Sequence, residues 1–215
     1  MQNTNTNQES LSLFISKFID GCKAHKKPLL TALIIIVVAA GGIAWFVSHR
    51  EKTLQNSWAL FYDAQLTLLS QGQDAGFDAF DRLNTQYPNT DAAYYGKLMQ
   101  ADLLFTEENY AQSVDIYEEL LKAKNPQVRA IAAVSLGGAQ QAVQNYAASI
   151  ATLQNFIAAN PTSFALPQAY FTLALSQELS GDKAAALETY KKILEDYTQT
   201  YFGVFAKDKI NQLSK

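Results

Sequence analysis

One cysteine, two histidines, five prolines and ten glycines in 215 residues exclude several kinds of protein. A single thiol, Cys22, rules out an intramolecular disulfide. Its setting, Ile19–Asp20–Gly21–Cys22, does not suit lipidation, because Asp20 is polar and the apolar run follows the cysteine instead of preceding it. Beyond residue 47 there is no cysteine and one histidine, His49, which removes Cys/His nucleophile pairs and tetrahedral zinc sites. No G-x-S-x-G, G-x-x-x-x-G-K or G-x-G-x-x-G occurs, so the strained nucleophile turn and the phosphate-cradling loops are missing. Acid pairs such as Glu107–Glu108 and Glu118–Glu119 fall on helix ends or faces and read as solvated charge, not as paired acid–base groups. An enzyme would need a site unlike any of these motifs; no catalytic residue, metal or cofactor is expected. Glycine and proline are also too scarce for a loop-rich all-β or disordered chain.

Basic charge is in deficit where it would matter for nucleic acid. Residues 48–215 carry 13 basic against 18 acidic residues, net −5, whereas residues 1–27 carry four lysines against two acids. An acidic soluble part offers no electrostatic footprint for phosphate backbones.

What is present begins with a run of twenty uncharged residues, PLLTALIIIVVAAGGIAWFV, from Pro28 to Val47. As a helix it is about 30 Å long, the thickness of the hydrocarbon core. Trp45 and Phe46 suit an interfacial aromatic anchor; Lys23, Lys26 and Lys27 precede the run, while Arg50 and Lys52 follow it with Glu51 between them. That bias places the N-terminus in the cytoplasm and exports the C-terminal part. A cleaved signal peptide competes, with Gly42–Ile43–Ala44 as a small-x-small site, but the preceding tail is long and the apolar run continues past it. Gly41–Gly42 lacks a strong small-xxx-small pattern for helix pairing. Before the run, Leu11, Phe14, Ile15, Phe18, Ile19 and Cys22 recur at helical spacing. They fit either a helix lying on the membrane face or one that folds against a membrane partner. The first ten residues are polar and read as disordered. The expected division is a cytoplasmic tail (1–27), a transmembrane helix (28–47) and a periplasmic domain (48–215).

Self-similarity organises the rest. Tyr110, Tyr146 and Lys183 are equivalent, each following a short turn (Glu108–Asn109, Gln144–Asn145, Gly181–Asp182). Three residues later stands a small side chain (Ser113, Ser149, Ala186), and four further on a large one (Tyr117, Leu153, Tyr190). Nine residues before each anchor stands Ala101, Gly137 or Ala174, small enough for paired helices to approach closely. Their predecessors are Gln100, Leu136 and Leu173, and Pro126 and Pro161 close the first two units. This register resembles the tetratricopeptide repeat (TPR) family over residues 93–198. A degenerate unit fits residues 57–90 through Ala64, Gly76, Phe80 and Tyr87–Pro88, with Gln73 replacing the aromatic. The expected fold is all-α: a transmembrane helix, then a helical-hairpin solenoid of about four hairpins. Phe202, Phe205, Ala206, Ile210 and Leu213 share one face of a final capping helix, with Lys207, Asp208 and Lys209 largely off it.

The order of tail, span and acidic repeat domain, with YPNTDAAYYGKLMQADLLF (Tyr87–Phe105), is similar to the YfgM-type TPR family of the bacterial inner membrane. That resemblance implies a place beside the SecYEG translocon and a link to periplasmic chaperones. It also implies partners that are proteins (translocon subunits, chaperones or exported polypeptides), with no small-molecule substrate. An adaptor in another envelope complex, for cell division or outer-membrane assembly, is the alternative.

In a TPR solenoid the first helix of each hairpin lines the concave face. The register places Trp58, Phe61 and Gln65 there, then Tyr95, Leu98, Asp102 and Phe105, then Ile131, Val134 and Gln141, and finally Phe171, Leu175 and Glu178. The candidate partner-binding residues are Trp58, Phe61, Tyr95, Leu98, Phe105, Val134, Phe171 and Leu175. Phe61, Leu98, Val134 and Phe171 take one equivalent place in all four units, which fits either a groove for extended polypeptide or packing against a neighbouring helix or cap. TPR domains that clamp a C-terminal carboxylate carry lysine, asparagine and arginine on this face. Here those places hold Leu98, Asp102, Val134, Gly138 and Phe171.

Overall fold

The computed structural model describes residues 26–214; the readings for residues 1–25, including the apolar series from Leu11 to Cys22, lie outside it. Every regular element among the described residues is an α-helix. They are α1 (Lys26–Gln71), α2 (Gln73–Gln86), α3 (Asp91–Thr106), α4 (Tyr110–Leu120), α5 (Pro126–Ala142), α6 (Tyr146–Ala159), α7 (Leu166–Leu179), α8 (Lys183–Asp196) and α9 (Tyr201–Leu213). The chain divides into two compact units, one ending at Thr53 and the other beginning at Leu54.

In the first unit the apolar run forms helix without covering itself. Ile34–Val38, Ile43 and Trp45–Val47 are each 54–68% exposed. Water is a poor solvent for that surface, about 25 cal/mol per Å² worse than an apolar medium. Among the described residues this is the one helix long and apolar enough to cross a membrane. Trp45 and His49, one turn apart, stack with ring centroids 5.3 Å apart and planes at 10°. The expected domain boundary at residue 48 falls inside α1, which runs on through SHREKTLQNS. Loss of apolarity there changes the solvent a residue prefers, but with no glycine or proline nothing ends the helix.

The second unit is a row of helical hairpins: the end of α1 with α2, where Phe61 and Ala64 cluster with Ala79, Phe80 and Leu83, then α3–α4, α5–α6 and α7–α8, closed by α9. One turn recurs between the helices of the last three hairpins. Glu108, Gln144 and Gly181 sit at equivalent places with φ of 64°, 60° and 90°. The next residue's amide (Asn109, Asn145, Asp182) donates to the carbonyl five residues earlier, at 2.8, 2.8 and 3.0 Å. This is the left-handed helix stop that satisfies otherwise orphaned carbonyls. Two of the three turns then cap the following helix, the Asn145 and Asp182 carboxamide or carboxylate oxygens accepting from the Ala148 and Ala185 amides. Between hairpins, Thr90, Asn125 and Thr200 cap α3, α5 and α9 in the same way, and Pro126 opens α5 where its missing N–H costs nothing.

The small residues set the spacing. Ala101, Ala174, Ser113, Ser149 and Ala186 are all fully buried. A Cβ on Gly137 would stand 2.7 Å from Leu153 Cγ, and one on Gly76 would stand 2.7 Å from Leu68 Cβ. At both places the facing helix fills the space a side chain would need. Ser149 Oγ donates 2.8 Å to the Gly137 carbonyl and lies 2.8 Å from Ser176 Oγ, so the hydroxyls in this seam are satisfied. Gln100 departs from the apolar pattern of Leu136 and Leu173 and is equally buried. Its amide donates to Asp81 Oδ1 at 3.1 Å and its oxygen accepts from Asn84 at 3.4 Å. The degenerate first unit is present: Ala64, Gly76 and Phe80 are buried, and Gly72, with φ 91°, provides its turn.

The last hairpin is covered by α9. Ala206 is buried against Ala174, Ala186, Tyr190 and Ile193, with Phe202, Ile210 and Leu213 packed around them. Lys207 and Asp208 face solvent as expected. Lys209 does not: it is half-buried and pairs with Glu178 at 2.9 Å, because its long stem reaches back over the cap.

Candidate partner-binding groove

Helices α3, α5 and α7 contact one another in sequence, and the C-terminal part of α1 joins the row through Trp58 against Tyr95 and Gln65 against Met99. This row of first helices makes a face with two open hollows. The larger, about 430 Å³, is lined by Phe61, Tyr95, Leu98, Met99, Asp102, Leu103, Thr106 and Ile131. The smaller, about 240 Å³, is lined by Asp102, Phe105, Tyr117, Val134, Ser135, Gly138, Gln168 and Thr172.

The eight residues expected to contact a partner fall into three groups. Phe61, Tyr95 and Leu98 line the larger hollow, and Trp58 packs edge-on to Phe61 at 5.3 Å, buttressing its wall. Phe61 and Leu98 are also buried, with relative exposures of 8% and 4%, so they form floor as much as wall. Phe105 and Val134 line the smaller hollow, Phe105 on its exposed rim and Val134 buried. Phe171 lies elsewhere, under the cap, with ring centroids 4.9 Å from Phe205 and 5.5 Å from Phe202. Leu175, half-buried one turn on, lines neither hollow.

Two tyrosines that the repeat pattern presents simply as large core residues carry polar chemistry to this face. Tyr117 is buried, yet its hydroxyl donates to Asp102 Oδ1 at 2.5 Å; Tyr190 likewise donates to Glu178 Oε2 at 2.9 Å. Burial, reinforced by the accepting carboxylates, holds both phenols protonated far above the usual tyrosine range. Asp102 keeps an exposed edge, but burial raises its pKa while the Tyr117 hydrogen bond opposes the rise. Glu178 has a second partner in Lys209; among the described residues no cation reaches the Asp102 carboxylate. Met99, Leu103, Thr106, Gln168 and Thr172 were not anticipated. Helical spacing around Leu98 and Asp102 carries the only sequence signal for the first three.

A third hollow, about 350 Å³, opens between α5 and α6 beside Pro126, Arg129, Ala133, Phe156 and Asn160. Arg129 there is committed to the Ala123 and Lys124 carbonyls at 2.7 and 2.9 Å. No cluster of three or more His, Cys, Asp or Glu side chains suited to a metal ion occurs among the described residues.

Solved structures share this architecture at low identity. MamA from Desulfovibrio magneticus RS-1, from position 41 to its end, matches with a TM-score of 0.55 and 14% identity, over 74% of this chain and 89% of that one. A MamA RS-1 double mutant gives 0.56 and 14%, over 74% and 94%. A Podosopora anserina protein with nearly identical TPR-like repeats gives 0.55 and 11%, over 72% and 83%. No curated protein matches. The tetratricopeptide repeat-like domain model matches residues 22–201, and the chain belongs to that family.

Proposed function

We propose that the protein is a membrane-anchored adaptor that holds other polypeptides in the groove on the first helices of its hairpins, at the protein-export machinery of the cell envelope. The observation that carries this reading is the open, largely apolar hollow of about 430 Å³ walled by Phe61, Tyr95, Leu98, Met99 and Ile131. Pockets of this size and character fit one or two side chains of an extended segment. The TPR fold is typically that of a non-enzymatic scaffold, and it suits protein partners. Anchoring is supported by the uncovered apolar part of α1. Export of the repeat domain is supported by the lysines before residue 28. The place at the translocon is drawn from the resemblance to the YfgM-type family.

A reporter that works only outside the cytoplasm, fused after Lys215, should be active, and the protein should stay in membrane pellets after an alkaline wash. An inactive reporter, or release into the soluble fraction, contradicts the anchored and exported arrangement.

A further inference from the structure

The charge distribution in the groove narrows what it takes. Asp102 is the one side chain that lines both hollows, and it is the one ionisable carboxylate or cation in either lining. Tyr117, donating from the buried side, fixes the carboxylate's orientation and occupies Oδ1. The other acid on this face, Glu178, already has Tyr190 and Lys209. Asp102 thus presents an uncompensated negative charge where the apolar larger hollow meets the smaller one, whose lining includes Ser135, Gln168 and Thr172, and residues 48–215 carry 13 basic against 18 acidic residues.

We infer that the groove selects segments of protein partners in which a lysine or arginine adjoins a large apolar residue. The cationic head pairs with Asp102, and the apolar neighbour enters the hollow of Phe61, Leu98 and Ile131. This inference rests on the groove reading above. Lysine and arginine suit the place because their alkyl stems lie comfortably on apolar surface while the head keeps to polar groups. A charge-assisted bond at a partly enclosed carboxylate is stronger than one between neutral groups. An acidic residue at the same place is rejected by like charge, which is a common source of selectivity. The net charge of −5 on residues 48–215 draws cationic segments in at low salt.

The test uses the full-length protein in detergent micelles and three labelled Gly/Ser peptides that carry Leu-Arg, Leu-Gln or Leu-Glu at the same central position. The Leu-Arg peptide should bind about tenfold tighter than the Leu-Glu peptide, the size expected of one charge-assisted hydrogen bond. Asp102→Asn keeps an acceptor for Tyr117 and should bring the two affinities close together. If the preference survives Asp102→Asn, the selection arises elsewhere on the acidic surface and the inference is overturned. If all three peptides bind equally to the unaltered protein, charge selection is overturned while the groove reading stands. If none binds, the groove reading falls and takes the inference with it.

Discussion

Replacing Leu98 by serine is expected to lower the unfolding free energy by about 2–5 kcal/mol, the range for large-to-small changes in a packed core. Leu98 is 4% exposed and belongs to one cluster with Ala101, Tyr117, Leu120, Val128, Ala132 and Leu136. Serine would leave a void on the floor of the groove and put a hydroxyl where the neighbours offer mainly hydrocarbon. The repeat register alone makes Leu98 either a groove wall or core, and these give opposite forecasts; its burial favours the second. Chemical denaturation of the full chain in micelles is the measurement. Hairpin arrays need not melt as one unit, so the transition of the α3–α6 region should be followed separately. An unchanged midpoint would mean that Leu98 faces open solvent. The consequence for function is practical: Leu98 cannot be used to separate binding from folding, whereas exposed Asp102 can.

Removing residues 200–215 is expected to disorder the last hairpin. α9 covers Phe171 through Phe202 and Phe205, closes over Tyr190 and Ile193, and supplies Lys209 to Glu178. Each large apolar side chain returned to water costs about 1.5–3 kcal/mol, so uncovering three of them exceeds what one terminal hairpin can sustain. Solenoid repeats are stabilised mainly by their neighbours, and the loss should stay local. Hydrogen exchange should accelerate across α7 and α8 and change little in α2–α4. Unchanged protection in α7–α8 would show that the cap is dispensable and that Phe171 is not held by it.

Much of the fold was legible because the repeat writes its packing in side-chain size. The small places at Ala101, Gly137 and Ala174 and the large ones at Tyr117, Leu153 and Tyr190 are where the helices meet, and all six are buried. The divergent Gln73 did not prevent a first hairpin, because Gly76 and Phe80 still supply the close approach and the filling residue. The passage of α1 through residue 48 was not legible. Apolarity reports the solvent a residue prefers, and it says little about whether the backbone continues as helix. The groove was half legible. Phe61, Leu98, Val134 and Phe171 look identical in register, but only three-dimensional neighbours distinguish the hollow beside Leu98 from the capped site of Phe171. The register places Asp102 on the first-helix face, yet the hydroxyl that orients it comes from Tyr117, fifteen residues away on another helix.

The central claim, that this groove is where polypeptides are held at the export machinery, is tested most directly by photo-crosslinking in native membranes. A photoreactive residue at Met99 or Ile131, on the groove wall, should form adducts with translocon subunits, periplasmic chaperones or exported polypeptides. The same residue at Gln112 or Glu188, exposed on α4 and α8, should not. Adducts that form only from Gln112 or Glu188 would contradict the account, and groove adducts confined to division or outer-membrane assembly proteins would contradict its place at the translocon.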